Sequence, residues 1–131
     1  MNKTFQRIFS IYAWVFFFCG LLFISAPNVV IDGVNYLGSM QSYFTPLDPI
    51  KHRFWLILCF SMMMMVAYAS HEASKDFNDS MIRILILSKA ISSLSYFVML
   101  FLDQAAFGYL LGFIVDGSIC LSIIYMYRQL K

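Results

Sequence analysis

Residues Ser88–Tyr96 read SKAISSLSY, and residues Gly108–Cys120 read GYLLGFIVDGSIC. Each stretch lies inside an apolar segment long enough to cross a membrane, and each carries one charged residue, Lys89 or Asp116. A charge at membrane depth costs several kcal/mol, by estimates from about 2.5 to well over 10, unless it is paired or hydrated. Each of the two charges therefore needs a partner.

Lys89 and Asp116 are predicted to be partners of each other. The link between their segments, Asp103–Gly108, is short, so the two segments should run antiparallel side by side. Counted from the predicted cytoplasmic ends, the two residues lie roughly 12 and 16 Å deep, at about 1.5 Å per helical residue. A lysine side chain is long enough to bridge that offset.

The composition indicates a single integral membrane domain, residues 1–131. Of the residues, 61% are hydrophobic and 12% are charged, about half the charged share of soluble domains. Four apolar runs approach or reach the roughly 20 residues that a spanning helix needs, at residues 8–26, 54–70, 81–102 and 109–127. Because backbone groups in lipid must be satisfied internally, the sequence predicts an all-α membrane protein, a four-transmembrane-helix bundle.

Positive charges near the ends of the four spans predict the orientation, since cytoplasmic loops carry the excess of Lys and Arg. With both termini in the cytoplasm, that side holds Lys3, Arg7, Lys75, Arg83, Arg128 and Lys131, and the other side holds Lys51 and Arg53. The net charge of +2 therefore reflects mostly the topology and does not indicate nucleic-acid binding.

The first span resembles a secretory signal at its start and has a cleavage-like end. Pro27 directly follows that end, which argues against cleavage and predicts a retained helix.

The longest connection, Pro27–Arg53, is too apolar for an ordinary solvated loop. Its apolar residues recur near i, i+3 and i+4, which predicts a short interfacial or re-entrant helix between the first two spans. We expect this segment to lie over the outer mouth of the bundle. It is either a cap on the helices or a gate for a substrate.

Polar residues form one face of the third span, and small residues form a stripe on the fourth. The polar face, at spacing i, i+3, i+4 and i+7, consists of Lys89, Ser92, Ser93 and Tyr96. Such a face must turn away from lipid. In the fourth span, Gly108 and Gly112 precede Asp116 at four-residue intervals, and small residues at this spacing let membrane helices pack closely. The stripe is therefore expected to present the carboxylate to a neighbouring helix.

The Lys89–Asp116 pair has two interpretations. In the structural one, two opposite charges in a low dielectric lock the third span to the fourth and fix which faces meet, with little net gain in stability. In the functional one, the pair and its serines bind a polar head group or pass a proton, as ionisable residues inside membranes often do.

No cofactor and no metal site is predicted. His52 and His71 fall at opposite ends of the second span, so they do not hold one haem iron together within a monomer. Three cysteines lie on separate spans without a C-x-x-C pair: Cys19, Cys59 and Cys120. Consecutive methionines at Met62–Met65 point around a helix, which favours packing over Cu(I) binding. No phosphate loop, zinc-protease motif or nucleophile-turn motif is present.

Several features are spread across most of the chain: GLLFISAP at residues 20–27, RFWLILCFSMMMMVAYAS at residues 53–70, a lysine in the third span and an aspartate in the fourth. Together they resemble the small four-helix DoxX-like membrane proteins and related bacterial families of largely unknown function. The resemblance implies a bacterial cytoplasmic (inner) membrane and a four-helix bundle. For some relatives it implies an accessory subunit role beside quinone-linked oxidoreductases.

The sequence thus predicts a small non-catalytic integral membrane subunit or interaction partner of a larger membrane assembly, because nearly all of the chain is apolar and no catalytic set is present. Its expected partners are the lipid bilayer and other membrane subunits or further copies of itself, and no nucleic acid. The alternative is a quinone- or lipid-binding component of a membrane redox or transport system that uses the polar face around Lys89, Asp116 and Tyr96.

Overall fold

The computed structural model describes residues 1–131, and its regular structure consists of five helices. They are α1 (Lys3–Ser25), α2 (Pro27–Ser39), α3 (Arg53–Lys75), α4 (Asp79–Leu102) and α5 (Phe107–Leu130). All except α2 are long and apolar enough to cross a membrane. The chain is therefore an all-α multi-pass membrane protein built on four spanning helices, as its sequence predicts.

The spanning helices extend beyond the apolar runs from which they are predicted. α1 begins at Lys3 instead of Ile8, and α3 continues to Lys75 instead of Ser70. An apolar run follows the hydrocarbon layer, whereas a helix continues into the headgroup region wherever its backbone hydrogen bonds are still made. An ion pair of 2.8 Å between Glu72 and Lys75, one turn apart, supports the last turn of α3.

The two ends of the bundle differ in what they bring together. At one end, which we term the terminal end, Gln6 Nε2 near the start of α1 donates to Lys75 O at the end of α3, at 3.2 Å. At the other, which we term the connection end, Thr45 N donates to Ala105 O at 3.0 Å and joins the α2–α3 link to the α4–α5 link. α1 and α3 are therefore antiparallel, as are α4 and α5.

The terminal end also joins α4 to α5. Arg83 Nε lies 2.8 Å from Asp79 Oδ2, and the hydroxyl of Tyr127 donates to Asp79 Oδ1. The ring of Phe77, in the α3–α4 link, stacks on the ring of Tyr127 with centroids 6.4 Å apart. Both chain termini therefore lie at the same end of the bundle.

One apolar core joins the four spanning helices in the half of the bundle nearer the terminal end. Its ten side chains are at most 7% exposed: Phe9, Phe16, Val66, Ala67, Ala69, Ala73, Ile82, Leu85, Ile123 and Met126. α1 packs most extensively along α3, and α4 packs along α5. Because α3 contributes mainly alanines to this core, its backbone can approach α1 closely.

A glycine permits close packing within each of the two helix pairs. A Cβ on Gly20 of α1 would lie 3.1 Å from Met63 Cβ of α3. A Cβ on Gly112 of α5 would lie 2.7–2.8 Å from three atoms of the Tyr96 ring of α4. Distances this short leave no room for a methyl group unless the neighbouring side chain moves.

The connection between α1 and α3 contains the short helix that the sequence predicts. α2 begins at Pro27. The backbone N–H of a first helical residue has no partner within the helix, so proline, which lacks this group, loses no hydrogen bond there. The Asn35 side chain holds both backbone groups of Leu47: its Nδ2 donates to Leu47 O at 2.9 Å, and Leu47 N donates to its Oδ1 at 2.8 Å. Ile50 N donates to Asn28 Oδ1 at 2.9 Å. The segment returning from α2 to α3 is thereby tied back onto α2.

Residues 27–52, which we term the cap, are fixed to the first turn of α5. A Cβ on Gly38 would lie 2.7 Å from Phe107 Cβ, and one on Gly108 would lie 2.5 Å from Leu47 Cδ1. The ring of Phe44 meets the Phe107 ring edge to face, with centroids 5.4 Å apart. Glycines on both sides of the contact let the cap approach α5 closely.

The fold and the charge pattern together generate a prediction about orientation. Ser42 is exposed in the cap at the connection end, and Gln129 is exposed at the terminal end. In intact cells, we expect a membrane-impermeant thiol reagent to label Ser42→Cys but not Gln129→Cys, because the terminal end carries most of the positive charge.

The wild-type chain, whose three cysteines lie within the spanning helices, provides the background for this measurement. Labelling of Gln129→Cys in intact cells, with Ser42→Cys protected until the cells are lysed, would reverse the orientation.

A second prediction tests the α4–α5 contact. Gly112→Ala should lower the free energy of unfolding by about 1–3 kcal/mol, because the added methyl forces the Tyr96 ring out of place. Gly33→Ala in α2 is the matched control: no atom lies within 4 Å of the position that its methyl group would occupy, so it should be neutral or stabilise by up to about 1 kcal/mol. Thermal unfolding in mild detergent measures both, and equal effects would contradict the predicted crowding at Gly112.

Candidate functional site

Lys89 and Asp116 meet in the interior of the bundle. Lys89 Nζ lies 3.0 Å from Asp116 Oδ1, and 7% and 14% of the two side chains are exposed. Lys89 follows the core residue Leu85 by one turn of α4, and Asp116 precedes the buried Cys120 by one turn of α5. The antiparallel packing of the two helices therefore brings together the two charges that the sequence places inside its spans.

Both charged groups have further partners. The hydroxyl of Ser92, one turn after Lys89, donates to Asp116 Oδ2, so each oxygen of the carboxylate accepts a bond. On its other side, the Lys89 ammonium lies 4.4 Å from the ring centroid of Phe16, which projects from α1. A cation over an aromatic face is attracted by the ring's quadrupole, and more strongly where water is excluded. The charges are therefore compensated by three helices of the same chain.

The other predicted polar residues occupy the same α4–α5 contact. Ser93 is buried, and its hydroxyl donates to Phe113 O at 3.1 Å. Gly117 leaves space for that hydroxyl, because a Cβ there would lie 3.1 Å from Ser93 Oγ. Tyr96 lies farther toward the connection end, with its ring over Gly112. Its side chain is at the edge of the contact, and its hydroxyl makes no hydrogen bond within the chain.

The two glycines of the predicted packing stripe contact different neighbours. Gly112 faces Tyr96 of α4, whereas Gly108 faces Leu47 and Val34 of the cap. The first turn of α5 thus packs against the cap at Gly108, and Gly112, one turn later, packs against α4. The stripe therefore takes part in two contacts, and only the one at Gly112 is with α4, the helix that pairs with Asp116.

Two aromatic residues of α1 contact α4 or α5 although the sequence does not single them out, and Phe16 is the one that belongs to the site. Phe16 covers Lys89, and the hydroxyl of Tyr12 shares a 2.6 Å hydrogen bond with Ser122 Oγ of α5. Their spacing of four residues places them on one helix face, which is the available sequence signal. Phe16 is the first of three consecutive phenylalanines, which point to different faces of α1, so the sequence alone does not indicate which of them faces Lys89.

The remaining candidate ligands do not converge. No group of three or more His, Cys, Asp or Glu side chains is arranged to hold a metal ion. All three cysteines are free, and the buried Cys120 directs its thiol to Ile86 O at 3.6 Å. Comparison of the sequence with known protein families and curated proteins, and of the fold with solved structures, finds no match.

The geometry predicts that Lys89 and Asp116 are energetically coupled. Asp116→Asn leaves a buried ammonium unpaired and Lys89→Met leaves a buried carboxylate, so each should cost about 3–5 kcal/mol of stability. The double replacement removes both charges and should cost less than the sum of the two single losses. Thermal unfolding of the four proteins in mild detergent gives the coupling energy, expected at roughly 0.5–3 kcal/mol.

The exposed pair Glu72–Lys75 provides the control cycle, because surface pairs typically contribute about 0–1 kcal/mol. If the effects of Lys89→Met and Asp116→Asn add strictly, the two residues do not act as a pair.

Proposed function

We propose that this chain is a non-catalytic subunit of a larger membrane assembly, in which it serves as a preformed helical unit that packs laterally against other spanning helices. The observation that carries the proposal is that the charges inside the spanning helices are compensated within the chain. Lys89, Asp116 and Ser92 satisfy one another, and Phe16 covers the ammonium. A site whose charges are compensated within the chain favours a role in joining helices over a role in chemistry.

A groove on the outside of the bundle supports a lateral contact. It lies between α3 and α4, encloses about 450 Å³, and has eight apolar residues among the nine that line it. On the α3 side the exposed residues Met62, Met65 and Tyr68 follow one another at three-residue spacing. Methionine side chains adapt their shape to a partner and are frequent at binding surfaces. The groove therefore suits an apolar helix of a second subunit.

A second function, the binding of a quinone or lipid head group, is favoured by one observation. The Tyr96 hydroxyl has no partner in the chain, and 36% of the residue is exposed at the edge of the α4–α5 contact. It is a free donor within the same polar face as the charge pair. A ligand carbonyl that accepts from Tyr96 would use this face without separating Lys89 from Asp116.

Native mass spectrometry of the full chain, extracted in mild detergent, distinguishes the two functions. The subunit role predicts a defined complex heavier than the 15.2-kDa chain. It also predicts that Met65→Trp in the groove dissociates the complex, while Leu121→Trp, a substitution at a similarly exposed position on α5, leaves it intact.

A single chain carrying one stoichiometric quinone or lipid would instead support the second function, particularly if Tyr96→Phe releases that ligand. A single chain without a bound ligand would contradict both functions.

A further inference from the structure

A polar pocket lies at the terminal end of the bundle, between α1 and α3. It is a shallow, open depression with a volume of about 380 Å³, and it is lined by five residues, none of them apolar: Lys3, Gln6, Arg7, Ser10 and Ser74. Four of the five come from the first turns of α1. The hydrogen bond from Gln6 Nε2 to Lys75 O holds this part of α1 against the end of α3. The pocket is therefore part of the α1–α3 packing and not a feature of a loose terminus.

The pocket is positively charged, and its charges are unpaired. Lys3 and Arg7 each stand outside the three ion pairs of the chain, which are Glu72–Lys75, Asp79–Arg83 and Lys89–Asp116. No carboxylate lines the pocket. Two cations without a counter-charge in the chain favour an anionic ligand.

One hydroxyl group of the pocket complements the two cations, since the other, Ser74 Oγ, already donates to His71 O at 2.6 Å. Ser10 Oγ makes no hydrogen bond within the chain, so its donor is free. Lys3, Arg7 and Ser10 are spaced i, i+4 and i+7 and so lie on one face of α1. An ammonium, a guanidinium and a hydroxyl donor on one face are the groups that bind phosphate oxygens.

The surface that continues from the pocket indicates the source of the phosphate. The same face of α1 proceeds through Trp14 and Phe18 to Leu21, and these residues are 60%, 59% and 38% exposed. The Trp14 and Phe18 rings stack on each other with centroids 5.7 Å apart. A cationic pocket at the helix end, followed by an exposed apolar stripe along a spanning helix, matches a phosphate head group followed by its acyl chains.

We propose that this pocket binds the phosphate of an anionic phospholipid, with Lys3, Arg7 and Ser10 on the head group and the Trp14 stripe along the acyl chains. The site is separate from the Lys89–Asp116 pair and from the α3–α4 groove. It gives the chain a preference among lipids that its spanning helices alone do not provide.

Trp14 supplies the measurement. The chain has two tryptophans, so a Trp55→Phe variant reports on Trp14 alone. In nanodiscs of phosphatidylcholine, phosphatidylglycerol with brominated acyl chains should quench Trp14 more strongly than phosphatidylcholine brominated in the same way. In the Trp55→Phe background, Lys3→Gln with Arg7→Gln should weaken the preference for phosphatidylglycerol roughly thirty-fold. This is the combined loss of binding expected when two cations near an anionic lipid surface are removed.

Lys51→Gln with Arg53→Gln, in the same background, is the matched control: it removes two positive charges at the connection end and should leave the preference unchanged. Circular dichroism verifies that both double variants retain their helix content. Equal quenching by the two lipids, or an equal loss in both double variants, overturns the proposal. Displacement of the lipid by inorganic phosphate also overturns it, because the ligand would then be a free anion.

Discussion

The rest of this structure depends on the cost of placing an ammonium and a carboxylate inside a membrane. Neither Lys89 nor Asp116 can face lipid, so α4 and α5 must turn these residues toward each other at the same depth. That requirement fixes the rotation of both helices about their axes. Gly112 then becomes necessary at the contact, because the Tyr96 ring of α4 occupies the space that a side chain on α5 would need, and Gly117 leaves room for the Ser93 hydroxyl.

The charge pair lies at the boundary between two parts of the bundle that are held together differently. Toward the terminal end, the apolar core joins all four spanning helices, and the Asp79–Arg83–Tyr127 contacts secure the ends of α4 and α5. Toward the connection end, α1 and α3 stay in contact at Gly20, α4 and α5 meet through a glycine–aromatic contact, and the cap packs across the first turn of α5. The cap thus supplies packing where the shared core does not extend. Hydrogen bonds from Asn35 to Leu47 and from Ile50 to Asn28 hold the cap in this conformation.

The sequence was sufficient to predict those structural features that depend on a single segment of the chain, or on a simple constraint between two neighbouring segments. Long apolar runs predict four spanning helices, and antiparallel neighbours with one charge each predict which residues approach. Phe16 was not predictable in this way, because the side of α1 that faces Lys89 depends on how α1 packs against α3. Gly108 continues the stripe toward a neighbouring helix, but that helix is α2 of the cap, reached through Val34, and the place of Leu47 beside it depends on the Asn35–Leu47 hydrogen bonds. The polar pocket likewise needs Ser74, which is distant from Lys3 in sequence.

The position of a charge along the membrane normal explains whether it requires a partner in the chain. Deep in the bundle, an unpaired ion would lose its hydration without compensation, so Lys89 has a carboxylate, and that carboxylate has a serine as well. In the first turns of α1, water and lipid head groups remain accessible, and Lys3 and Arg7 need no carboxylate from the chain to stay charged. Basic residues therefore have different roles at the two depths: Lys89 inside the bundle determines how α4 and α5 meet, whereas Lys3 and Arg7 at its terminal end have no counter-charge from the chain.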